Sequence, residues 1–192
     1  MSLKAKLEQI LHLAEAVSQP LGLLVVDARF SQMGQRHSLE VTIFRPDGRI
    51  GLEDCEKVSH QLEELLDSYS PPLIEGYYVL EIQSPGIDRQ LKTEREFLVF
   101  TGHTVEIKAR ENIPGLGSVF KGTLLTQGQG RITIGNPQTL EVSAKPRSPN
   151  KNQLPENSGH MDSLEVDLSK LIQVRLYSEE LHARRGARRA HS

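Results

Sequence analysis

The chain has 192 residues, of which 37% are apolar and 25% charged, and its formal net charge is −2. This composition is typical of a soluble globular protein, and no apolar run approaches the roughly 20 residues that a membrane helix needs. The single cysteine, Cys55, excludes an internal disulfide and a cysteine-based zinc site, and it favours a reducing, cytoplasmic environment. The amphipathic N-terminus predicts neither a signal peptide nor a transit peptide.

Charge is divided unevenly along the chain. Residues 1–100 contain 10 Lys/Arg and 16 Asp/Glu, whereas residues 101–192 contain 13 and 9. An acidic front half and a basic rear half predict two units, and the rear unit suits an anionic partner better.

The first half predicts a small α+β domain. Its apolar spacing gives, in chain order, a helix over 3–17, strands over 22–31 and 38–45, a helix over 53–67 and a strand over 76–83. Ser2 is expected to cap the first helix and Pro20 to end it. The order αββαβ predicts a three-stranded sheet covered by two helices.

A turn is predicted within EIQSPGIDRQL, residues 81–91. Pro85 fixes φ and Gly86 tolerates a positive φ, so Gly86 is expected in a conformation that is costly for a side chain. Thr93 and Glu96 form the pattern of a capping box, which predicts a short helix through Phe100. Residues 84–100 are therefore predicted to be a corner and a short linker helix, and the first domain is predicted to span 1–100.

The rest of the chain predicts a small all-β barrel of the SH3 or Sm kind over 101–181, because short strands alternate with Gly-rich turns. These strands are predicted over 104–109, 118–125, 130–135, 140–144, 163–168 and 171–177. Residues 145–163 have almost no apolar side chains and predict a flexible insertion in the barrel. Residues 182–192 predict a disordered basic tail.

These elements together resemble the bacterial ribosome maturation factor RimP family. The resemblance spans nearly the whole chain and depends chiefly on LEIQSPGIDRQL, with support from LEDCEKVSHQLEELLD at 52–67. Family members usually carry Val-Ser before Ser-Pro-Gly and a second proline after Asp-Arg, where this chain has Ile82-Gln83 and Gln90. The insertion and the tail exceed the compact family pattern, so the resemblance implies no role for them.

The resemblance implies a KH-like N-terminal domain, an Sm-like barrel and a non-enzymatic role in assembly of the small (30S) ribosomal subunit. The implied partners are the immature subunit, its rRNA and the twelfth small-subunit protein. We expect a cytoplasmic monomer with no cofactor, no metal and no membrane partner. The alternative is an RNA-binding regulator whose KH-like and Sm-like modules act on messenger or small RNA.

Three cations near the predicted turn form the first candidate site for RNA. Arg89, Lys92 and Arg95 would present positive charge to phosphate at a preorganised turn. Asp88 is expected to pair with Arg89 or to cap the turn, because phosphate would repel it.

The same stretch also has a purely structural interpretation. Ser84, Pro85, Gly86 and Asp88 would form a rigid corner between two domains. The two interpretations are compatible, since a rigid corner can also carry exposed cations.

A second candidate is Gly48-Arg49-Ile50-Gly51, which spells the GXXG of KH domains. In KH domains this motif joins two helices, whereas here it follows a predicted strand. The position favours an ordinary turn before a helix, with Arg49 as a surface cation that could touch RNA.

A third candidate is the basic tail, which contains Arg184, Arg185, Arg188 and Arg189. Arginine forks suit phosphate oxygens. The alternative is a disordered tail that only increases solubility.

The sequence predicts no catalytic residue. Ser84 and Ser118 lack the G-x-S-x-G pattern of a nucleophile elbow. Cys55 falls on the apolar stripe of its helix, which favours a packed core thiol. The histidines are scattered and form no H-x-x-x-H ligand pair.

Overall fold

A computed structural model describes residues 2–33, 36–140 and 162–179. The chain divides into two compact units, Met1–Gly86 and Ile87–Ser192. The division lies at Gly86 and not at residue 100, because residues 87–100 are built into the second unit. There the Leu91 N–H donates to the Val174 carbonyl at 2.9 Å, and Phe97 and Phe100 are buried.

The first unit has the predicted αββαβ order. Its elements are α1 (Leu3–Ser18), β1 (Leu24–Met33), β2 (Arg36–Phe44), α2 (Leu52–Asp67) and β3 (Val79–Gln83). Strands β1 and β2 are antiparallel, and β2 and β3 are parallel because α2 connects them. The sheet order is β1-β2-β3.

The ends of α1 follow the predicted signals. The Ser2 hydroxyl accepts a hydrogen bond from the Ala5 N–H at 3.3 Å, which satisfies one free donor of the first turn. A short 3-10 turn, Gln19–Leu21, follows Ser18 and includes Pro20.

Both helices contribute to one apolar core with the sheet. Ile10 of α1, Val58 and Leu62 of α2, and Leu39 and Val41 of β2 are fully buried. Burying each such side chain contributes about 1.5–3 kcal/mol. Cys55 lies against this core as a half-buried thiol, which confirms the prediction made for it, and burial raises its pKa.

The second unit contains one short helix and one antiparallel sheet in its described residues. These are α3 (Glu94–Val99), β4 (Thr104–Ile113), β5 (Gly117–Gly128), β6 (Arg131–Thr139), β7 (Ser163–Asp167) and β8 (Leu171–Leu176). The strand order is β7-β6-β5-β4-β8. Gly102, with φ of 87°, follows α3 as predicted.

One predicted strand is wrong at its start. Leu140 belongs to no strand, because β6 continues to Thr139 and already includes the residues before it. Residues 141–144 lie outside the described residues, as do 145–161 of the predicted insertion.

Gly122 lets β5 and β6 approach closely in the core of this sheet. A Cβ at Gly122 would meet the Ile134 side chain and would lie 2.8 Å from the Gly135 carbonyl oxygen. Real Cβ atoms essentially never come that close. The position therefore requires glycine for steric reasons, although its φ is not positive.

Candidate functional site

The stretch SPGID connects β3 to the start of the second unit. Ser84, Gly86 and Asp88 are exposed and Pro85 is half-buried. Six glycines in the described ranges have a positive φ, and Gly86 is not among them. The positive φ expected at Gly86 is therefore not found.

A buried carboxylate, Glu96, organises the residues that follow. Glu96 is 4% exposed. One of its oxygens, Oε2, accepts hydrogen bonds from the Lys92 N–H at 2.8 Å, the Thr93 N–H at 3.0 Å and the Thr93 hydroxyl at 3.2 Å. The other, Oε1, accepts a hydrogen bond from Arg89 Nε at 2.7 Å.

The predicted capping box is therefore confirmed. Thr93 Oγ1 accepts from the Glu96 N–H at 3.2 Å, while the Glu96 carboxylate binds the Thr93 N–H. The arginine contact extends the box, because it compensates the charge of a carboxylate that lies out of water.

These contacts keep Glu96 ionised. Burial alone would raise the pKa of Glu96, but the Lys92 N–H, the Arg89 guanidinium and the Thr93 N–H together outweigh it, and the pKa is lowered. The folded state therefore favours the carboxylate form.

The three predicted phosphate ligands differ in their surroundings. The Arg89 side chain is 18% exposed and directs its Nε to Glu96. Its carbonyl accepts a hydrogen bond from the Leu176 N–H at 2.9 Å. Arg89 thus has an internal structural role that its sequence position did not predict, whereas Lys92 is exposed and Arg95 is half-buried.

The GXXG stretch lies between β2 and α2, as its sequence context predicted. Asp54 Oδ2 accepts the Gly51 N–H at 3.0 Å, and Asp54 Oδ1 binds Arg45 at 2.7 Å. The Gly51 hydrogen bond, followed by Arg45, lowers the pKa of Asp54. An ionised acid at this helix start opposes a backbone phosphate, so the geometry favours a turn, with Arg49 exposed beside it.

The four tail arginines, Arg184, Arg185, Arg188 and Arg189, lie outside the described residues. Their proposed contact with RNA stays a prediction.

Comparison with known proteins identifies the family of the chain. Residues 13–88 match the family described as the RimP N-terminal domain. The ribosome maturation factor RimP of Microcystis aeruginosa (strain NIES-843 / IAM M-2473) is 38% identical over 167 residues, which are 87% of this chain and 90% of that protein. The chain belongs to the RimP family. A second relative, the ribosome maturation factor RimP of Rippkaea orientalis (strain PCC 8801 / RF-1), is 44% identical over 97 residues, 50% of this chain and 62% of that protein.

Membership of the RimP family covers both units. The N-terminal domain match ends at residue 88 and so includes the SPGID stretch. The 167 aligned residues of the M. aeruginosa protein exceed the length of the first unit, so the alignment also covers a large part of the second. The family resemblance that the sequence motifs indicated is confirmed.

Two further observations describe this RimP-family chain. Over residues 2–33, 36–140 and 162–179, no helix is long and apolar enough to cross a membrane. In the same ranges, no group of three or more His, Cys, Asp or Glu side chains is arranged to hold a metal ion.

Sequence reasoning missed two features of the second unit. The Arg89–Glu96 pair was not predicted, although the capping box already pointed Glu96 back toward the preceding residues. A set of cations on alternate positions of β4, β5 and β8 was also missed, although the period-2 pattern of those strands separates inward from outward side chains.

Proposed function

We propose that this chain is a non-enzymatic assembly factor of the small (30S) ribosomal subunit. It binds immature subunits through rRNA and a ribosomal protein, which the family resemblance implies is the twelfth small-subunit protein. The observation that supports this most strongly is the alignment over 87% of the chain with a protein named ribosome maturation factor.

The architecture suits such a binding role. The first unit, with two helices covering one face of a β1-β2-β3 sheet, is of the KH-like type that handles nucleic acid. The second unit, with five antiparallel strands and a 3-10 turn at Leu168–Lys170 before the last one, is of the SH3/Sm-like type. Each type uses its surface rather than a deep pocket.

In this proposal, cations that follow the SPGID stretch serve RNA in two different ways. Lys92 is exposed and contacts phosphate directly, with Arg95 of the same unit as a further contact. Arg49, an exposed cation of the first unit, makes a separate contact. Arg89 and Glu96 hold the backbone of this stretch in place, so that Lys92 is presented from a preorganised turn.

Sedimentation tests the proposed function in growing cells. The protein is expected in the small-subunit fractions of a lysate and absent from whole ribosomes, and a strain without it is expected to accumulate immature small subunits. Co-sedimentation with messenger or small RNA, away from subunits, would instead support the RNA-regulator alternative and overturn the proposal.

A truncation tests the tail separately. Each neutralised phosphate contributes roughly 0.7–0.9 to the slope of log affinity against log salt. If all four tail arginines engage RNA, deletion of 182–192 lowers that slope by about three. Equal slopes for the full-length and truncated proteins on immature subunits would remove the tail from the mechanism.

A further inference from the structure

One face of the second sheet carries cations on three adjacent strands. Side chains of β4 and β5 alternate between the buried core and this outer face, and Arg175 of β8 pairs with Glu106 of the same face. The outer face contains Lys108 and Arg110 of β4, Lys121 of β5 and Arg175 of β8. We refer to these four residues as the basic face.

The strand register sets the spacing of the basic face. Glu106 lies directly between Lys121 on one neighbouring strand and Arg175 on the other. Direct cross-strand neighbours have Cβ atoms about 5 Å apart, so Lys121, Glu106 and Arg175 form one row, and Lys108 and Arg110 follow on the same face along β4.

Glu106, the acid at the centre of this patch, is already compensated. Arg175 Nε donates to Glu106 Oε1 at 2.9 Å, and a second guanidinium nitrogen contacts the same oxygen. The Glu106 side chain is 12% exposed. It therefore offsets Arg175 and leaves Lys108 and Arg110 as the cations of this face whose charges act outward.

Lys108 and Arg110 are the exposed members of the basic face. The Arg110 Nε donates to the Ser169 carbonyl at 3.0 Å, which orients the guanidinium and leaves its two terminal nitrogens as donors. Lys170, which follows Ser169, is also exposed and adds charge beside the patch. At the opposite end, Lys121 lies 4.5 Å from the centre of the Tyr177 ring and 4.0 Å from Glu179.

The positive character of this face does not come from the overall charge of the unit. Residues 87–140 and 162–179 together contain 9 Lys/Arg and 9 Asp/Glu, so the described part of the second unit has no net charge. Of the nine acids, Asp162, Glu165 and Asp167 lie on or next to β7, while Glu106 and Glu179 pair with Arg175 and Lys121. A neutral unit with a concentrated patch of cations directs an anionic partner to one surface.

We propose that the basic face binds the phosphate backbone of RNA. This inference rests on the proposed function, in which the partner is an immature subunit, and it adds a surface of the second unit that the boundary cations and the tail do not include. The chemistry favours phosphate because Arg110 offers paired donors and Lys108 a compact charge, the two side-chain types that recognise phosphate oxygens. The contacts are independent of RNA sequence.

The test compares the double variant Lys108→Gln/Arg110→Gln with Arg131→Gln. Arg131 is a matched control because its side chain is 60% exposed on β6 of the same unit, while Glu165 at 2.8 Å already compensates its charge. Binding is measured from low to high salt on two probes, a naked transcript of small-subunit rRNA and isolated immature small subunits. Melting temperatures close to that of the wild type establish that the variants fold.

On the naked transcript, the double variant is expected to lower the slope of log affinity against log salt by about 1.4–1.8, since two phosphate contacts are lost. Arg131→Gln is expected to leave the slope unchanged. The same slope for the double variant and the wild type would overturn the inference. An equal loss of slope in Arg131→Gln would also overturn it, because the effect would then report total charge and not this face.

The two probes separate this inference from the proposed function. Failure of the wild type to bind immature subunits would overturn the proposed function, while the transcript would still decide the role of the basic face. Weaker binding of the double variant to subunits with an unchanged slope on naked transcript would overturn RNA as the partner and assign the face to a ribosomal protein.

Discussion

The two units each hold a glutamate that is tied to an arginine, but they hold it at different depths. In the second unit, the Glu96 and Arg89 side chains are 5% and 18% exposed. In the first unit, those of Glu40 and Arg29 are 15% and 59% exposed on the open face of the sheet. The shortest contacts are alike, 2.7 Å and 2.6 Å, so distance does not distinguish the pairs.

Burial decides what each pair contributes. The Ser31 hydroxyl, followed by Arg29, lowers the pKa of Glu40, but water reaches Arg29 and screens its charge. Glu96 has little water to replace a lost partner, so its contacts with backbone N–H groups and with Arg89 become necessary. The same glutamate–arginine pair therefore fixes local structure where it is buried, in the second unit, and contributes little to stability where it is exposed, in the first.

The largest expected effect concerns the place where the two units separate. A fragment of residues 1–86 is expected to keep its fold, since its helices and sheet share one core, whereas a fragment of residues 1–100 is expected to have an unstructured end. The hydrogen bonds of Glu96 with residues 89–93 are not enough to hold α3 without β8 and the apolar core of the second unit. Amide NMR spectra of the two fragments check this, and dispersed signals for residues 87–100 in the longer fragment would place Glu96 in the first unit.

The next effect is that of Glu96→Ala. The substitution removes the acceptor that the Arg89 Nε and two backbone N–H groups share, and breaking a buried pair in this way costs about 3–5 kcal/mol. Glu94→Ala is the control, because Glu94 is exposed in the same helical turn. Urea unfolding measures both variants, and equal losses would show that Glu96 acts only as a helix-start charge.

Protonation of Glu96 at acidic pH should destabilise the protein less than Glu96→Ala, because a protonated Glu96 still fills its site. Its pKa is lowered in the folded state, so its contribution is fully present above the unfolded value of about 4.3 and is lost as the pH falls through the folded value. The difference in unfolding free energy between the wild type and Glu96→Gln should therefore shrink at acidic pH. A constant difference from pH 6 to pH 3 would contradict this account.

Gly122→Ala tests packing in the second unit without touching its charges. The new methyl group would collide with Ile134 and the Gly135 carbonyl, and such overpacking costs about 1–3 kcal/mol. Gly128→Ala on the same strand is the control, because a Cβ there meets nothing within 4 Å. Comparable melting temperatures for the two variants would show that β5 and β6 can separate at no cost.

The smallest effect is expected for Arg29→Ala in the first unit. Pairs in which one partner is well exposed contribute about 0.2–1 kcal/mol, so Arg29→Ala should destabilise the chain far less than Glu96→Ala. Thermal unfolding at low and high salt measures the contribution, which salt should reduce further. A loss as large as that of Glu96→Ala would remove the distinction between the two pairs.

Local signals in the sequence predicted local structure well. Ser2 caps α1, Thr93 and Glu96 form a capping box, and the alternation of Leu39, Val41 and Ile43 gave the buried face of β2. Each of these depends on residues within a few positions of one another, so spacing alone carries the information.

Non-local contacts explain the failures. The sequence predicts a first domain that ends at residue 100, because short strands and Gly-rich turns begin beyond it, but the Leu91 N–H donates to the Val174 carbonyl, a partner that no local pattern reveals. The charge of Arg89 suggests a phosphate ligand, but its side chain is only 18% exposed. Its carbonyl accepts a hydrogen bond from the Leu176 N–H of the same distant strand, a contact that local spacing does not reveal. The prediction for Gly86 relied on its permissive φ, which the turn does not use.

The strand order of the second sheet has a consequence for synthesis of the chain. Strand β4 is complete at Ile113, but its neighbour β8 begins only at Leu171. At translation rates of 5–20 residues/s, one edge of β4 waits roughly 3–12 s for its partner on the nascent chain. Throughout that interval one edge of β4 is open, and the charged side chains of Lys108 and Arg110 on this strand discourage pairing with a second nascent chain. The same cations would then protect the open edge of β4 from wrong pairing during synthesis, and would bind the proposed anionic partner after β8 has paired with β4.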